Sequence, residues 1–150
     1  DGLVTGFACY QHRTATSASA HTARPDKEGL VMLSISLPYL PPREFSPNSR
    51  VHWRVRHKVG LRVQDDVMAL VREQGWDQPP MEKSTISITW TFPDNRRRDI
   101  DNLLASTKPI LDALTKDKSG VIVDDSWQHI TLVLTYEKGD KPQTRIEITA

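Results

Sequence analysis

The sequence predicts one α+β domain (a mixed α/β fold), in which a single mixed β-sheet packs with two main helices. Short apolar runs with a period of two recur along the chain, as in half-buried strands. Two other stretches repeat their apolar residues at helical spacing. The length, 150 residues, suits one ordinary domain, and the elements follow the order β-α-β-α-β-β-β. No apolar run approaches the roughly 18–20 residues of a membrane span, so no transmembrane segment is expected.

Residues 1–29 are expected to form a disordered tail, and residues 30–150 the folded domain. The tail contains a small, polar and aperiodic stretch at 14–20, which cannot bury enough surface to offset its ordering entropy. It lacks the apolar core of a secretory signal, and we expect a cytoplasmic location. The single cysteine, Cys9, excludes a disulfide framework and a cysteine-based zinc site.

The first half of the domain predicts a strand, a loop and a helix. Residues 30–37 are a strand candidate that the following prolines stop. Residues 43–59 are polar and basic and predict a loop. Four apolar residues at helical spacing then indicate a helix: Val63, Val67, Leu70 and Val71. Asp65 and Asp66 suit its first turn, and Gly75 suits its end.

The second half predicts one more helix and several strands. Residues 86–92 alternate apolar and polar side chains, and residues 102–116 follow as a helix. Pro109 lies inside that helical pattern, which predicts a kink or a late helix start. The remaining strands are predicted at 121–123, 130–136 and 146–148, with a turn over 138–142.

Positive charge is concentrated in one segment, although the formal net charge of +1 says little. Six Lys and Arg residues face one acid, Glu44: Arg43, Arg50, Arg54, Arg56, Lys58 and Arg62. Trp53 is interleaved with them, and Arg96, Arg97 and Arg98 form a second basic run. This pattern indicates a polyanionic partner, with Trp53 available to stack on a base. The alternatives are a solvated loop and a tryptophan that packs in the core.

The second basic run leads into two closely spaced carboxylates, Asp99 and Asp101. If the chain is extended there, both carboxylates share one face and Ile100 points into the core. Hard oxygen ligands of this kind suit Mg²⁺, which keeps several waters and uses few protein carboxylates. The alternative is that Asp101 caps the second helix while Asp99 pairs with Arg98.

A second acidic pair, Asp124-Asp125, ends the predicted strand 121–123. Neighbouring strand ends can bring Asp99, Asp101 and one member of this pair together, as in sites that hold metal for phosphodiester cleavage. Lys108 follows Asp101 by about two helical turns, so a continuous helix would place both on one side. It would then reach a phosphate or the attacking water; the alternative is a solvated lysine.

Together these segments resemble the RusA family of Holliday-junction resolvases, the crossover junction endodeoxyribonucleases often carried by phages and prophages. The resemblance spans about residues 30–149. It is carried by three motifs: RRRDIDNL at 96–103, TKPILDAL at 107–114 and VIVDD at 121–125. PPREFSPNSR at 41–50 also resembles the proline- and asparagine-containing segment after the first strand of the family. Residues 104–106 are a three-residue insertion relative to the family pattern, and the loop 116–120 is longer.

The resemblance implies a small homodimeric hydrolase that binds four-way DNA junctions and makes paired, Mg²⁺-dependent nicks in DNA recombination and repair. Asp99, Asp101 and Asp125 match the metal carboxylates, and Lys108 matches the essential lysine. The DNA-binding candidates are Arg50, Arg54, Arg56, Lys58, Arg96, Arg97 and Arg98. The absence of a glycine-rich phosphate loop argues against a nucleotide cofactor.

Two other function classes compete with this one. The first is a non-catalytic nucleic-acid-binding module with structural acids, but a pure binder gains nothing from carboxylates that face phosphate. The second is a metal-dependent phosphoesterase for a small substrate, but such a substrate needs few cations. We therefore expect a structure-selective endonuclease.

Overall fold

The fold is a four-stranded mixed sheet with its helices, as seen in a computed structural model that describes residues 31–150. The predicted tail, 1–29, and the first residue of the predicted first strand lie outside the described residues. The strands are β1 (Val31–Leu37), β2 (Ser84–Phe92), β3 (Ile130–Lys138) and β4 (Gln143–Thr149). Their spatial order is β1-β4-β2-β3, with β4 antiparallel to both neighbours and β3 parallel to β2. The predicted α+β class with one mixed sheet is confirmed.

Alternation along the strands separates an apolar face of the sheet from a polar one. The buried apolar side chains of the three neighbouring strands are Leu33, Ile35 and Leu37 on β1, Ile146 and Ile148 on β4, and Ile86, Ile88 and Trp90 on β2. The intervening residues are polar and bond across strands, as in the 2.8 Å contact between the Thr89 and Thr135 hydroxyls. The alternation of apolar and polar residues along the strands therefore determines which face of the sheet the helices cover.

The first helix, α1 (Trp53–Glu73), begins within the segment predicted to be a loop. That prediction is wrong from residue 53 onward, because the basic segment there contains no helix breaker. His52 also caps the helix, since its Nδ1 accepts a hydrogen bond from the Arg54 backbone amide at 3.2 Å. Asp65 and Asp66 consequently lie in mid-helix rather than in its first turn. The predicted end is confirmed, because Gly75 adopts φ +66° just beyond the C-cap.

The second predicted helix is two short ones, α2 (Ile100–Ala105) and α3 (Lys108–Leu114). The break falls at Ser106 and Thr107, whose hydroxyls donate to the carbonyls of Leu103 and Leu104 at 2.5 and 2.7 Å. Pro109 stands in the first turn of α3, where its missing N–H costs nothing. The late helix start is thus confirmed. Residues 104–106, which the family resemblance implies to be an insertion, lie where α2 ends.

Two connections differ from expectation. Residues 121–123 form isolated bridges instead of a strand, since Ile122 pairs only with Met81 and Thr115, although Val121 and Ile122 are fully buried. The predicted turn 138–142 joins β3 to β4, which are not neighbours, so the chain passes the end of β2 there. Within residues 31–150, no helix combines the length and apolar character needed to cross a bilayer.

Candidate active site and nucleic-acid interface

A broad groove lies between the segment that follows β1 and the segment that follows β2. Its volume is about 770 Å³, and its lining includes residues 40–44 and Ser46 on one side and residues 96–99 on the other. The Ser46 hydroxyl donates to Asn102 Oδ1 at 2.8 Å, which ties the first segment to α2. Two segments that are remote in sequence, both singled out from their composition, therefore meet at one groove.

The three consecutive arginines in this groove differ in their contacts. Arg98 lies 4.1 Å above the Phe92 ring centroid and pairs with Asp94 at 2.8 Å. The hydrogen bond from the Arg98 side chain, and then that from the Arg96 backbone amide, hold the pKa of Asp94 below its usual value. The side chains of Arg96 and Arg97 are 84% and 90% exposed. Arg98 consequently shapes the groove, whereas Arg96 and Arg97 present their charge to solvent.

Asp99 and Asp101 lie at the beginning of α2. Asp99 is the N-cap, and its Oδ1 accepts from Arg97 Nε at 3.3 Å. Asp101 is in the first turn and accepts from the Asn102 amide at 2.9 Å. Ile100 is 74% exposed, so the prediction that it enters the core is wrong, because the chain turns helical at this residue. The alternative interpretation, in which Asp99 pairs with Arg98, is wrong about that ion pair, since Arg98 pairs with Asp94.

Lys108 is held between two carboxylates from different segments. Its Nζ lies 2.5 Å from Asp112 Oδ1, one turn on in α3, and 3.0 Å from Asp125 Oδ2. The hydrogen bonds to Asp112 and then to Asp125 raise the pKa of Lys108. Because the helix breaks before Lys108, its position no longer follows from that of Asp101. The structure instead brings it to Asp125, which belongs to a different one of the three sequence motifs.

The two members of the second acidic pair have different surroundings. Asp125 is half-buried and faces Lys108. Asp124 is exposed, and a hydrogen bond from the Ser126 side chain is the main cause that lowers its pKa. Only Asp125 is therefore linked to another site residue.

The expected meeting of three carboxylates does not occur in this conformation. Within the described part of the chain, no group of three or more His, Cys, Asp or Glu side chains is placed to hold a metal ion. The chemistry of the donors still suits Mg²⁺, since that ion retains waters and uses only one or two carboxylates. Exposed carboxylates of this kind are present at Asp99 and Asp101. The metal-binding roles of Asp99, Asp101 and Asp125 stay predictions.

The basic residues of the first segment also divide by their contacts. Arg56 Nε donates to the Glu44 carbonyl at 3.0 Å, and Nη2 to the Ser49 carbonyl at 3.2 Å, which fastens the preceding segment to α1. Arg54 lies 5.4 Å from the Trp53 ring centroid. Arg50, Arg54 and Lys58 are exposed. The predicted DNA contacts of these residues are untested by the geometry, but Arg56 has a structural role.

A second, smaller pocket separates α1 from the start of α3. Its volume is about 260 Å³, and its lining includes Trp53, Gln64, Lys108 and Asp112. Sequence reasoning did not single out Gln64, and it included Asp112 only as part of the motif at 107–114, with no role assigned. The i, i+4 spacing of Lys108 and Asp112 was a usable signal, because such a pair faces one side of a helix.

Comparison with known proteins finds similarity over most of the domain. A family model described as "Endodeoxyribonuclease RusA" matches residues 48–149, more than half of the chain. A curated relative from Xylella fastidiosa (strain Temecula1), described as an uncharacterized protein, is 33% identical over 109 residues. That match covers 65% of this chain and 71% of the relative. The family match includes both acidic motifs and Lys108.

Proposed function

Since this chain belongs to the RusA family of endodeoxyribonucleases, we propose that it is a structure-selective nuclease that resolves four-way DNA junctions in recombination and repair. The observation that carries the proposal is the contact of Lys108 with Asp125 at 3.0 Å. These residues come from two separate family motifs, and their contact is independent of the sequence comparison. A groove that joins Asp99 to exposed arginines supports it further.

Each group has a role that its surroundings support. Arg96 and Arg97, which are exposed beside Asp99, bind backbone phosphate and position the strand. Lys108, which is kept protonated by its two carboxylates, donates hydrogen bonds to the phosphate undergoing cleavage or to the attacking water. Asp99 and Asp101 would hold Mg²⁺, which when bound would polarise the phosphate and lower the pKa of water. Asp125, which forms no three-carboxylate group with them in residues 31–150, contacts Lys108 instead.

The proposal also includes a homodimer and a cytoplasmic location. A four-way junction has approximate two-fold symmetry, and its resolution requires nicks in two opposed strands. A two-fold dimer presents two identical sites that match this demand.

A non-catalytic DNA-binding module is the second candidate. The observation that favours it is the isolated position of the carboxylates, which form no three-ligand group within residues 31–150. The two candidates differ in one outcome, because only the enzyme changes the DNA covalently.

One assay separates them. Labelled four-way junction, Y-fork and linear duplex are each incubated with the protein in Mg²⁺ or in EDTA. We expect paired nicks in the four-way junction with Mg²⁺, none in EDTA, and little cleavage of the duplex. Binding without cleavage in Mg²⁺ and Mn²⁺ would favour the binding module. Equal cleavage of all three substrates would contradict the structure selectivity.

A further inference from the structure

We infer that the smaller pocket, beside Lys108, binds a single unstacked nucleobase of the DNA strand, with Trp53 as its stacking surface. This inference deepens the proposed function and rests on it. The pocket volume, about 260 Å³, lies just below the range of drug-sized ligand sites, roughly 300–1,000 Å³. A space of this size suits one ring system rather than a folded segment.

The lining of the pocket has the chemistry of a base site. Trp53 is 66% exposed at the pocket, and the Arg54 guanidinium lies 5.4 Å from its ring centroid. An exposed indole with a neighbouring guanidinium is a stacking platform for a base of any identity. Gly60 and Pro109 are the buried members of the lining. A Cβ on Gly60 would lie 3.3 Å from the Phe45 ring, so glycine there keeps this wall closely packed.

Polar groups at the pocket suit the edge of a base and its phosphate. The Gln64 amide offers both a donor and an acceptor, and the Asp112 carboxylate accepts from an exocyclic amino group. Lys108 lies on the same lining, so a flanking phosphate meets positive charge.

The position of the pocket links it to cleavage. Lys108 lines the pocket and also contacts Asp125 at 3.0 Å. A nucleotide whose base enters the pocket therefore has its phosphate close to the proposed catalytic groups. Unstacking a base is unfavourable in duplex DNA, and least so where pairing is already disturbed. The pocket would consequently favour strands at a branch point over continuous duplex.

The test combines an abasic DNA site with a tryptophan variant. The affinity for a four-way junction is measured in EDTA, first for the intact DNA and then with one abasic nucleotide at each position that flanks the branch point. For the unaltered protein we expect one position to lower affinity roughly tenfold, as expected for a lost stacking contact. Trp53→Ala should lower affinity for the intact junction by a similar factor. At that abasic position, Trp53→Ala should cause no additional loss.

Two variants control for indirect effects. Trp53→Phe keeps an aromatic face and should retain most of the affinity. Trp127→Ala removes another exposed indole, 86% exposed and absent from the pocket lining, and should leave affinity unchanged.

The effect of the abasic site is measured on the unaltered protein, so the test remains decisive even if Trp53→Ala misfolds. Independent, additive losses from the abasic site and Trp53→Ala, or no abasic effect at any position, would overturn the inference. The affinities are measured in EDTA and do not depend on cleavage. A failure to cut DNA in Mg²⁺ would therefore overturn the proposed nuclease without affecting the conclusion about the base pocket.

Discussion

The Lys108 ammonium group forms ion pairs with two carboxylates, Asp112 in its own helix and Asp125 in a segment distant in sequence. Both ion pairs lie near the surface, with the Lys108 side chain 66% exposed, and such pairs contribute at most about 1 kcal/mol to stability. This arrangement therefore serves to orient the ammonium group more than to stabilise the fold.

The first prediction separates these two roles. Lys108→Ala should lower the rate of junction cleavage by about 100-fold or more, the scale of losing a positioned proton donor. Its midpoint of thermal unfolding should stay within a few degrees of the original. Cleavage kinetics and calorimetry measure the two effects. Lys116→Ala removes an exposed lysine outside the cluster and should change neither. A large fall in the unfolding midpoint with cleavage retained would contradict the assigned role.

The second prediction concerns the acidic pair. Asp125→Asn should abolish cleavage because this carboxylate contacts Lys108, whereas Asp124→Asn should cut at nearly the original rate. Circular dichroism checks that both variants fold, and a junction cleavage assay compares them. Full activity of Asp125→Asn beside an inactive Asp124→Asn would show that the other member of the pair serves the site.

At the residue scale, sequence reasoning identified the carboxylates beside the basic run, but not the direction in which the neighbouring side chains point. Asp99 and Asp101 were singled out as two carboxylates beside a basic run, and the structure shows both exposed, while their metal-binding role stays a prediction. Their common face was inferred from extended backbone, and the helix that begins at Ile100 removes that premise. Helix boundaries depend on packing that is remote in sequence, so a period-two argument could not place Ile100.

Among the elements, the connection from β3 to β4 passes close to the end of β2. The Gly139 amide donates to the Phe92 carbonyl at 3.2 Å, at the end of β2. A Cβ on Gly139 would lie only 2.5 Å from Thr91 Cγ2. Glycine at this position therefore permits the chain to pass the end of the strand.

The third prediction follows from that contact. Gly139→Ala should lower the free energy of unfolding by about 1–3 kcal/mol, the usual range for overpacking. Adding Thr91→Ser removes the methyl group but retains the hydroxyl that donates to Glu137 Oε1, so the double variant should recover much of the loss. Urea unfolding of the four proteins forms a double-mutant cycle. Equal losses with and without Thr91→Ser would show that this contact is not the cause.

The fourth prediction concerns the first turns of α1. Arg54→Ala with Lys58→Ala should weaken DNA binding and reduce the slope of log affinity against log salt by up to about 1.8, since each lost phosphate contact contributes about 0.9. Arg56→Ala should instead lower thermal stability, because its guanidinium donates to two backbone carbonyls. Titrations at several salt concentrations and a melting curve distinguish the two. An unchanged slope in the double variant would remove this part of α1 from the interface.

The elements also show where local pattern was sufficient. Gly75 and Pro109 were interpreted correctly, because each residue imposes its own backbone preference. The start of α1 was not, although Val55 and Val59 continue the four-residue repeat of Val63 toward the N-terminus. The positive charge of this segment was interpreted as a loop instead. The order of the strands lay beyond local pattern too, because it depends on pairing between segments far apart in sequence.

On the scale of the whole molecule, the proposed dimer makes the two cuts separable. The fifth prediction is that Asp101→Asn binds junctions in EDTA as tightly as the original protein, or more tightly, because it removes a negative charge near phosphate. It should cut nothing in Mg²⁺. In a heterodimer of original and variant subunits, one strand should be nicked and the opposite strand left intact.

Differently tagged subunits allow that heterodimer to be purified, and denaturing gels report each labelled strand. Two coordinated nicks from the heterodimer would contradict one independent site per subunit. Loss of junction binding by Asp101→Asn would contradict the separation of binding from chemistry.

The strand order also governs how a nascent chain can fold. β4 is the last strand in the sequence, yet it lies between β1 and β2 in the sheet. Within residues 31–150, β1 pairs only with β4, so this strand has no partner there until residues 143–149 have left the ribosome. Until then β2 can pair with β3 alone, and the backbone N–H and C=O groups of β1 have no strand partner. Synthesis of this domain must therefore be nearly finished before its sheet can close, and folding competes with degradation late rather than early in translation.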